Sequence, residues 1–217
     1  MSAKLPVDLI VFDLDGTLAD SLPALTAAAN YACRCLGLPE HPAAVIQQMI
    51  GEGEKTFVRR FLGEGHQDLF EKALKLYLEH YSQHCGHLTR LYPEVRETLE
   101  VLSHKKLAVL SNKMERLSRQ VVEVLGIAPF FVAVKGGDSY GMLKPQPAGL
   151  AALIRELQAS PERTLMVGDK PTDIHTGRGA GALTLGVTYG YGDPEALRQA
   201  APEVLIDSFS QLAGLVA

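Results

Sequence analysis

Two carboxylates one residue apart, Asp13 and Asp15, stand where an apolar run ends. The run Val7-Asp8-Leu9-Ile10-Val11-Phe12 gives way abruptly to Asp13-Leu14-Asp15-Gly16-Thr17. A carboxylate can attack phosphorus and form an aspartyl-phosphate. That attack brings two anions together, so it needs a cation. Mg²⁺ held by a few carboxylates and by phosphate oxygens meets the need. A second acid close by can protonate the leaving alcohol and later deprotonate the attacking water. Asp13 fits the nucleophile and Asp15 the general acid/base. The competing reading is structural, because acids at strand ends commonly cap turns or helices. A calcium loop is excluded: an EF-hand needs Gly at its sixth position and Glu at its twelfth, whereas here Gly comes fourth and the twelfth residue is Ala24.

The elements that must position these acids can be read from the surrounding pattern. A run rich in Val, Ile and Phe reads as a strand covered on both faces. In open α/β sheets, ligands sit beyond the carboxyl ends of the strands, at the topological switch point. Three later segments repeat the theme. Leu107-Ala108-Val109-Leu110 ends in Ser111-Asn112. Thr164-Leu165-Met166-Val167 ends in Gly168-Asp169, with Asp173 beyond. Leu143-Lys144-Pro145 follows the strand-like Phe131-Val132-Ala133-Val134 and a Gly-rich turn. Helices are expected over 94–104, 115–125 and 148–158, and this alternation is the mark of βαβ units. From Leu18 to Leu88 strands vanish and helical periodicity takes over: Leu22, Leu25, Ala29 and Ala32; Phe57, Val58, Phe61 and Leu62; Leu69, Leu74, Leu76, Leu78 and Tyr81. Asp20 or Ser21 is the expected cap of the first helix, with Pro23 near its start. The reading is therefore an α/β chain. Its Rossmann-like, doubly wound parallel core spans 1–17 and 89–217, and a helical layer is inserted over 18–88. Flexible joints fall near Thr17–Asp20 and Gly86–Tyr92.

In order and spacing, Asp13, Ser111, Lys144 and Asp169 resemble the four-part signature of the haloacid dehalogenase superfamily, from Val7 to about Val187. The likeness is closest to its phosphoglycolate phosphatase-like branch. It runs through Phe-Asp-Leu-Asp-Gly-Thr-Leu-Ala-Asp-Ser, Leu-Ser-Asn-Lys, Leu-Lys-Pro and Val-Gly-Asp-Lys-Pro-Thr-Asp. The resemblance implies that the Ser111 hydroxyl and the Asn112 backbone N–H hold a phosphoryl oxygen, and that Lys144 offsets charge on Asp13 and the phosphate. It implies Mg²⁺ on Asp13, the Asp15 carbonyl and Asp169, with Asp173 behind them. The helical insert then resembles the superfamily's cap, which excludes water from the transfer step. The implied activity is Mg²⁺-dependent hydrolysis of a small phosphorylated metabolite, 2-phosphoglycolate first. Inorganic pyrophosphatase and sugar-phosphate phosphatase are the alternatives within the superfamily, and a catalytically silent binding module is the alternative outside it. Asp15 argues against a dehalogenase. Lys55 formally leaves a phosphonate-cleaving Schiff base open. The absence of His from the Leu22–Ala32 helix disfavours a sugar phosphomutase.

Substrate choice is expected from Gly51, Glu52, Gly53 and Lys55, between two helices of the insert, with Arg59 and Arg60 next; a plain interhelical turn explains them equally well. Two glycine-rich spots are not nucleotide sites. Glu54 stands where a phosphate loop needs Gly, and Gly177–Gly181 leads into a strand rather than opening a helix. His80, His84, Cys85 and His87 carry zinc-like ligand chemistry without a second ligand pair elsewhere. His175 reads as a helix-surface residue.

Composition narrows the classes further. The 217 residues can bury a substantial core, and a net charge of −4 offers no footprint for nucleic acid. Three cysteines, Cys33, Cys35 and Cys85, suggest a reducing compartment rather than a disulfide framework. The opening Met1-Ser2-Ala3-Lys4 lacks a following apolar stretch, and no apolar run is long enough to span a bilayer. A cytoplasmic protein without membrane partners, monomeric or homodimeric, is expected.

Overall fold

The computed structural model describes residues 4–216; Met1–Ala3, on which part of the leader reading falls, lie outside them. At its centre is β1 (Leu9–Phe12), whose alternate side chains enter opposite cores. Ile10 and Phe12 pack with Val109, Val167 and Phe209, whereas Leu9 and Val11 pack with Leu110, Leu153 and Met166. Such a strand has no solvent face, which explains its unbroken apolar run.

After β1 the chain makes the two-residue β2 (Ala19–Asp20) and enters four helices: α1 (Leu22–Cys35), α2 (Ala43–Met49), α3 (Gly53–Leu62) and α4 (Phe70–Leu88). It leaves through β3 (Arg90–Leu91), which pairs antiparallel with β2. The expected joints are therefore two short strands hydrogen-bonded to one another. Further tethers are Tyr92 N–H to the Leu18 carbonyl at 3.1 Å and the Tyr189 hydroxyl to the Thr17 carbonyl at 2.8 Å. Helix α1 starts with Pro23 in its first turn and buries a row of small residues, Ala24, Ala28, Ala29 and Ala32. Their size lets it lie close along α4, which contributes the buried rings of Tyr77 and Tyr81.

The start of α1 corrects the capping expectation. The Ser21 side chain makes no cap hydrogen bond. Instead the phenol oxygen of Tyr191, remote in sequence, accepts from Ser21 N at 2.6 Å and Leu22 N at 2.8 Å. Asp20 Oδ1 accepts weakly from Leu22 N at 3.3 Å.

The remaining chain alternates: α5 (Val95–Val101), β4 (Lys106–Leu110), α6 (Glu115–Val124), β5 (Ala133–Lys135), α7 (Ala148–Glu156), β6 (Thr164–Gly168), α8 (Pro171–Gly179), β7 (Leu183–Val187), α9 (Pro194–Gln199), β8 (Val204–Ile206) and α10 (Gln211–Leu215). The strand order β5-β4-β1-β6-β7-β8 is parallel throughout. The chain winds outward from β1 to β5, returns to β1's other flank, and winds outward again. This doubly wound α/β sheet with its helical cap is the class the sequence suggests. Element ends shift by a few residues. Helix α5 begins only after Glu94, held at φ 62°, and the strand expected over 131–134 is β5, which starts two residues later and ends one later, at Ala133–Lys135. Among the described residues no helix is long and apolar enough to cross a membrane.

Candidate active site

Strand register brings the sequence-distant motifs to one rim. Phe12 lies level with Val109 of β4 on one side and Val167 of β6 on the other. The residues just past those positions are Asp13, Leu110-Ser111 and Gly168-Asp169, so all three loops leave the sheet side by side. Asp13 N–H continues the ladder by donating to the Val167 carbonyl at 2.9 Å. Gly16 adopts φ +89°, and a Cβ there would lie 2.5 Å from Asp169 Oδ2. Glycine therefore allows the first loop to fold against the third.

Three carboxylates converge at this rim. Asp13, Asp169 and Asp173 each present an oxygen within 4.8 Å of the others. Lys144 enters between two of them, its Nζ 2.8 Å from Asp13 Oδ1 and 2.7 Å from Asp173 Oδ1. Burial alone would weaken that ammonium, but the two carboxylates outweigh it and raise its pKa. Asp13 Oδ1 also accepts Leu14 N–H at 2.7 Å, whereas Oδ2 has no hydrogen-bond donor among the described residues. Asp169 is 1% exposed and accepts from Thr17 Oγ1, Tyr191 N and Gly192 N. Burial, then the neighbouring Asp173 and Asp13, push its carboxyl up to about 7. Asp173 has both oxygens occupied, one by Lys144 and the other by Lys170 N–H at 3.0 Å in a capping box that starts α8. Its pKa is raised by burial, with Lys144 opposing. Three crowded acids facing one committed ammonium form a set of hard oxygen donors that suits a divalent cation.

The second acid faces the cap. Asp15 Oδ1 accepts from Ser21 Oγ at 2.5 Å, and Oδ2 pairs with Lys113 Nζ at 3.0 Å. Lys113 is 5% exposed; its ammonium also reaches Tyr81 Oη at 3.1 Å and lies over the Tyr81 ring. Glu54, buried at the start of α3, crosses from cap to core and accepts Met114 N–H through both oxygens, at 3.1 and 3.0 Å. That carboxylate supplies a polar partner at the N-terminus of α6, where the helix lacks one of its own. Burial raises the Glu54 pKa, and Lys113 partly offsets it.

Between rim and cap lies a cavity of about 40 Å³, where one ordered water needs at least ~10–15 Å³. Its wall holds Asp13, Asp15, Ser111, Asn112 and Lys144 from the core, with Lys113, Lys170 and Thr172 beside them. From the cap come Leu25, Ile50, Gly51, Gly53, Glu54, Phe57 and Tyr77. Of the four cap candidates, Gly51 and Gly53 reach the wall and two do not. Glu52 turns outward to an ion pair with Arg60, and Lys55 is exposed. The helical turn that begins at Gly53 carries Glu54 inward and its neighbours outward. The Asn112 side chain does more than expected. It donates to the Gly51 carbonyl at 2.8 Å and the Lys144 carbonyl at 3.0 Å, and accepts Lys144 N–H at 2.7 Å, fastening three loops.

Lys113, Lys170, Glu54 and Tyr77 are site residues that the sequence pattern does not single out. The first two sit inside the quoted motifs, and their charge beside each signature is the available signal. Glu54 reads in the sequence only as a misfit in a phosphate loop. The histidine cluster gathers no metal set. The His80 and His84 rings lie 4.4 Å apart, tilted by 40°, and Tyr31 stacks on His80, while among the described residues the aspartate trio is the one group of three such ligands. All three cysteines are free, and His175 is exposed.

Comparison with known proteins agrees with this geometry. The family model described as haloacid dehalogenase-like hydrolase matches residues 10–187. A phosphoglycolate phosphatase of Vibrio parahaemolyticus is 36% identical over 97% of this chain and 96% of its own length. One from Neisseria meningitidis is 37% identical over 95% and 92%. The crystal structure of a "predicted phosphoglycolate phosphatase" from Haemophilus somnus superposes with a TM-score of 0.91 at 31% identity, covering 96% of this chain and 97% of that one. The chain belongs to the haloacid dehalogenase-like hydrolase family, on its phosphoglycolate phosphatase-like branch.

Proposed function

We propose that this phosphatase hydrolyses 2-phosphoglycolate through an aspartyl-phosphate on Asp13, with Mg²⁺ as cofactor. The observation that carries the reading is the state of Asp13. One oxygen is pinned by Lys144 and Leu14 N–H, and the other has no donor among the described residues and lies at the cavity wall. In the first step Asp13 Oδ2 attacks phosphorus and the bond to the glycolate oxygen breaks. Asp15, entering the step in its acid form, gives that oxygen its proton and is left as the carboxylate that pairs with Lys113. In the second step Asp15 takes a proton from water, the water oxygen attacks phosphorus, and the Asp13–phosphorus bond breaks to release inorganic phosphate. Ser111 and the Asn112 N–H hold phosphoryl oxygens, and Lys144 balances the charge that accumulates on them.

Asp13, Asp169 and the Asp15 carbonyl would hold Mg²⁺, which when bound offsets repulsion between carboxylate and phosphate. Asp173, with both oxygens committed, positions Lys144 and the Asp169 loop rather than binding the ion.

Relatives that bear the phosphoglycolate phosphatase name support this substrate. The apolar Leu25, Ile50 and Phe57 in the wall favour a substrate with carbon over pyrophosphate. The test is a substrate panel with purified protein, with and without Mg²⁺: 2-phosphoglycolate, ethyl phosphate, pyrophosphate and a hexose phosphate. Metal-dependent release of phosphate with the highest kcat/KM on 2-phosphoglycolate is expected. A higher value on pyrophosphate or the hexose phosphate would reject the assignment.

A further inference from the structure

The cavity wall holds three lysines, and their commitments differ. Lys144 already pairs with Asp13 and Asp173, and Lys113 already pairs with Asp15. The Lys170 ammonium lies within ion-pair distance of no carboxylate among the described residues; its hydrogen bond is to the neutral Ile50 carbonyl, at 2.5 Å. An ammonium so placed keeps charge and donors to offer an anion.

The residue is held at both ends. Its backbone N–H is fixed by Asp173 Oδ2 in the capping box of α8, so the root belongs to the catalytic loop. Its tip lies against the cap at Ile50-Gly51, where Gly51 adopts φ +122° and an added Cβ would stand 2.8 Å from Nζ. Asn112 fixes the same turn through the Gly51 carbonyl. The cap backbone is thus shaped around a lysine tip that the core supplies, and the tip is seated only while cap and core are together.

A phosphomonoester bound at the rim presents its remaining atoms toward this wall. With the phosphate end already served by Lys144, Ser111 and Asn112, a second anionic group would meet Lys170. Resting on the phosphoglycolate reading, we infer that Lys170 is the specificity-determining residue that binds the substrate carboxylate across the cap–core junction. Lys113 is the less suited cation, because a carboxylate would have to compete with Asp15 for it.

The experiment compares 2-phosphoglycolate with ethyl phosphate, which carries a methyl group in place of the carboxylate. The full-length wild type, Lys170→Met, Lys170→Arg and Gly51→Ala are assayed with saturating Mg²⁺, and folding is checked by thermal melting. The preference ratio is the kcat/KM measured with 2-phosphoglycolate divided by that measured with ethyl phosphate. Lys170→Met should reduce this ratio by about 30-fold, the scale of one hydrogen bond to a charged group. Most of the change should fall in KM. Lys170→Arg should keep part of the preference. Gly51→Ala, which keeps the lysine and crowds its tip, should lower the ratio in the same direction. A ratio that stays at the wild-type value in both Lys170→Met and Gly51→Ala overturns the inference. So does an equal loss on both substrates, which would assign Lys170 to the phosphate end. A wild type that shows no preference for 2-phosphoglycolate overturns the substrate reading itself, an outcome distinct from a wild-type preference that survives in the variants.

Discussion

The two walls of the cavity are built on opposite principles. The core rim is dense in charge: Asp13, Asp169, Asp173 and Lys144 lie within a few ångströms of one another, and three of these four side chains are almost fully enclosed. The cap wall is chiefly backbone and hydrocarbon, Ile50, Gly51, Gly53, Leu25 and Phe57, with the carboxylate of Glu54 turned to a core helix. The charged groups are thus gathered at the sheet's rim, where strand register sets the loops side by side, and most of the apolar wall comes from the helices. The two walls are nonetheless joined, because Ser21 Oγ and the Tyr81-bound Lys113 both reach Asp15, and the Asn112 side chain holds the Gly51 carbonyl.

The largest effect should come from the rim. Asp13→Asn removes the oxygen that the proposed mechanism uses for attack but keeps the shape of the side chain. Turnover with 2-phosphoglycolate should fall by on the order of 10⁴-fold or more, as for other enzymes that lose their nucleophile. The melting temperature should hold or rise, because one of three crowded carboxylates is neutralised. Retention of near-normal turnover would refute the division of labour between the walls.

The same crowding has a signature in pH. The Asp169 carboxyl is raised from an ordinary 3.8 to about 7 in the folded protein, so the native state binds its proton more tightly than the unfolded chain does. Its contribution favours folding below about pH 4 and is lost progressively as pH rises through 7. Asp169→Asn removes that dependence. In EDTA, the melting temperature of Asp169→Asn relative to wild type should rise between pH 5 and pH 8. Mg²⁺ should shrink the gap at pH 8 by stabilising the wild-type carboxylates. A difference that is flat in pH would mean that the acids are not electrostatically crowded.

These contrasts also explain what the sequence discloses. The rim is legible because a strand buried on both faces must be apolar, so a polar residue at its end is conspicuous, and three such endings, at Asp13, Ser111 and Asp169, recur in order. The two-residue strands β2 and β3 are not legible, since two residues carry no periodicity. Helix α2 is equally hidden: Ile46 is its one buried residue, too little to mark a face. The capping of α1 by Tyr191 joins residues about 170 positions apart, which no local pattern records. For the cap, Gly51 is visible as a loop glycine, but the inward turn of Glu54 depends on where helix α3 begins, and a one-residue difference in phase exchanges Glu54 for Lys55.

That phase yields the subtlest test, among the three charged residues of Glu52-Gly53-Glu54-Lys55. Glu54→Ala should leave Met114 N–H without its carboxylate partner at a buried helix start, destabilising the protein by about 1–2 kcal/mol. Glu52→Ala breaks only an exposed pair with Arg60, worth about 0–1 kcal/mol. Lys55→Ala should change stability by no more than about 0.5 kcal/mol and kcat/KM by about twofold at most, because its side chain is exposed and off the cavity wall. Denaturant melts of the three variants, with kinetics on 2-phosphoglycolate, check the order Glu54, then Glu52, then Lys55. A dominant kinetic loss in Lys55→Ala would place that amine inside the closed site and reverse the assignment of the cap wall, reopening the Schiff-base chemistry that an inward lysine could perform.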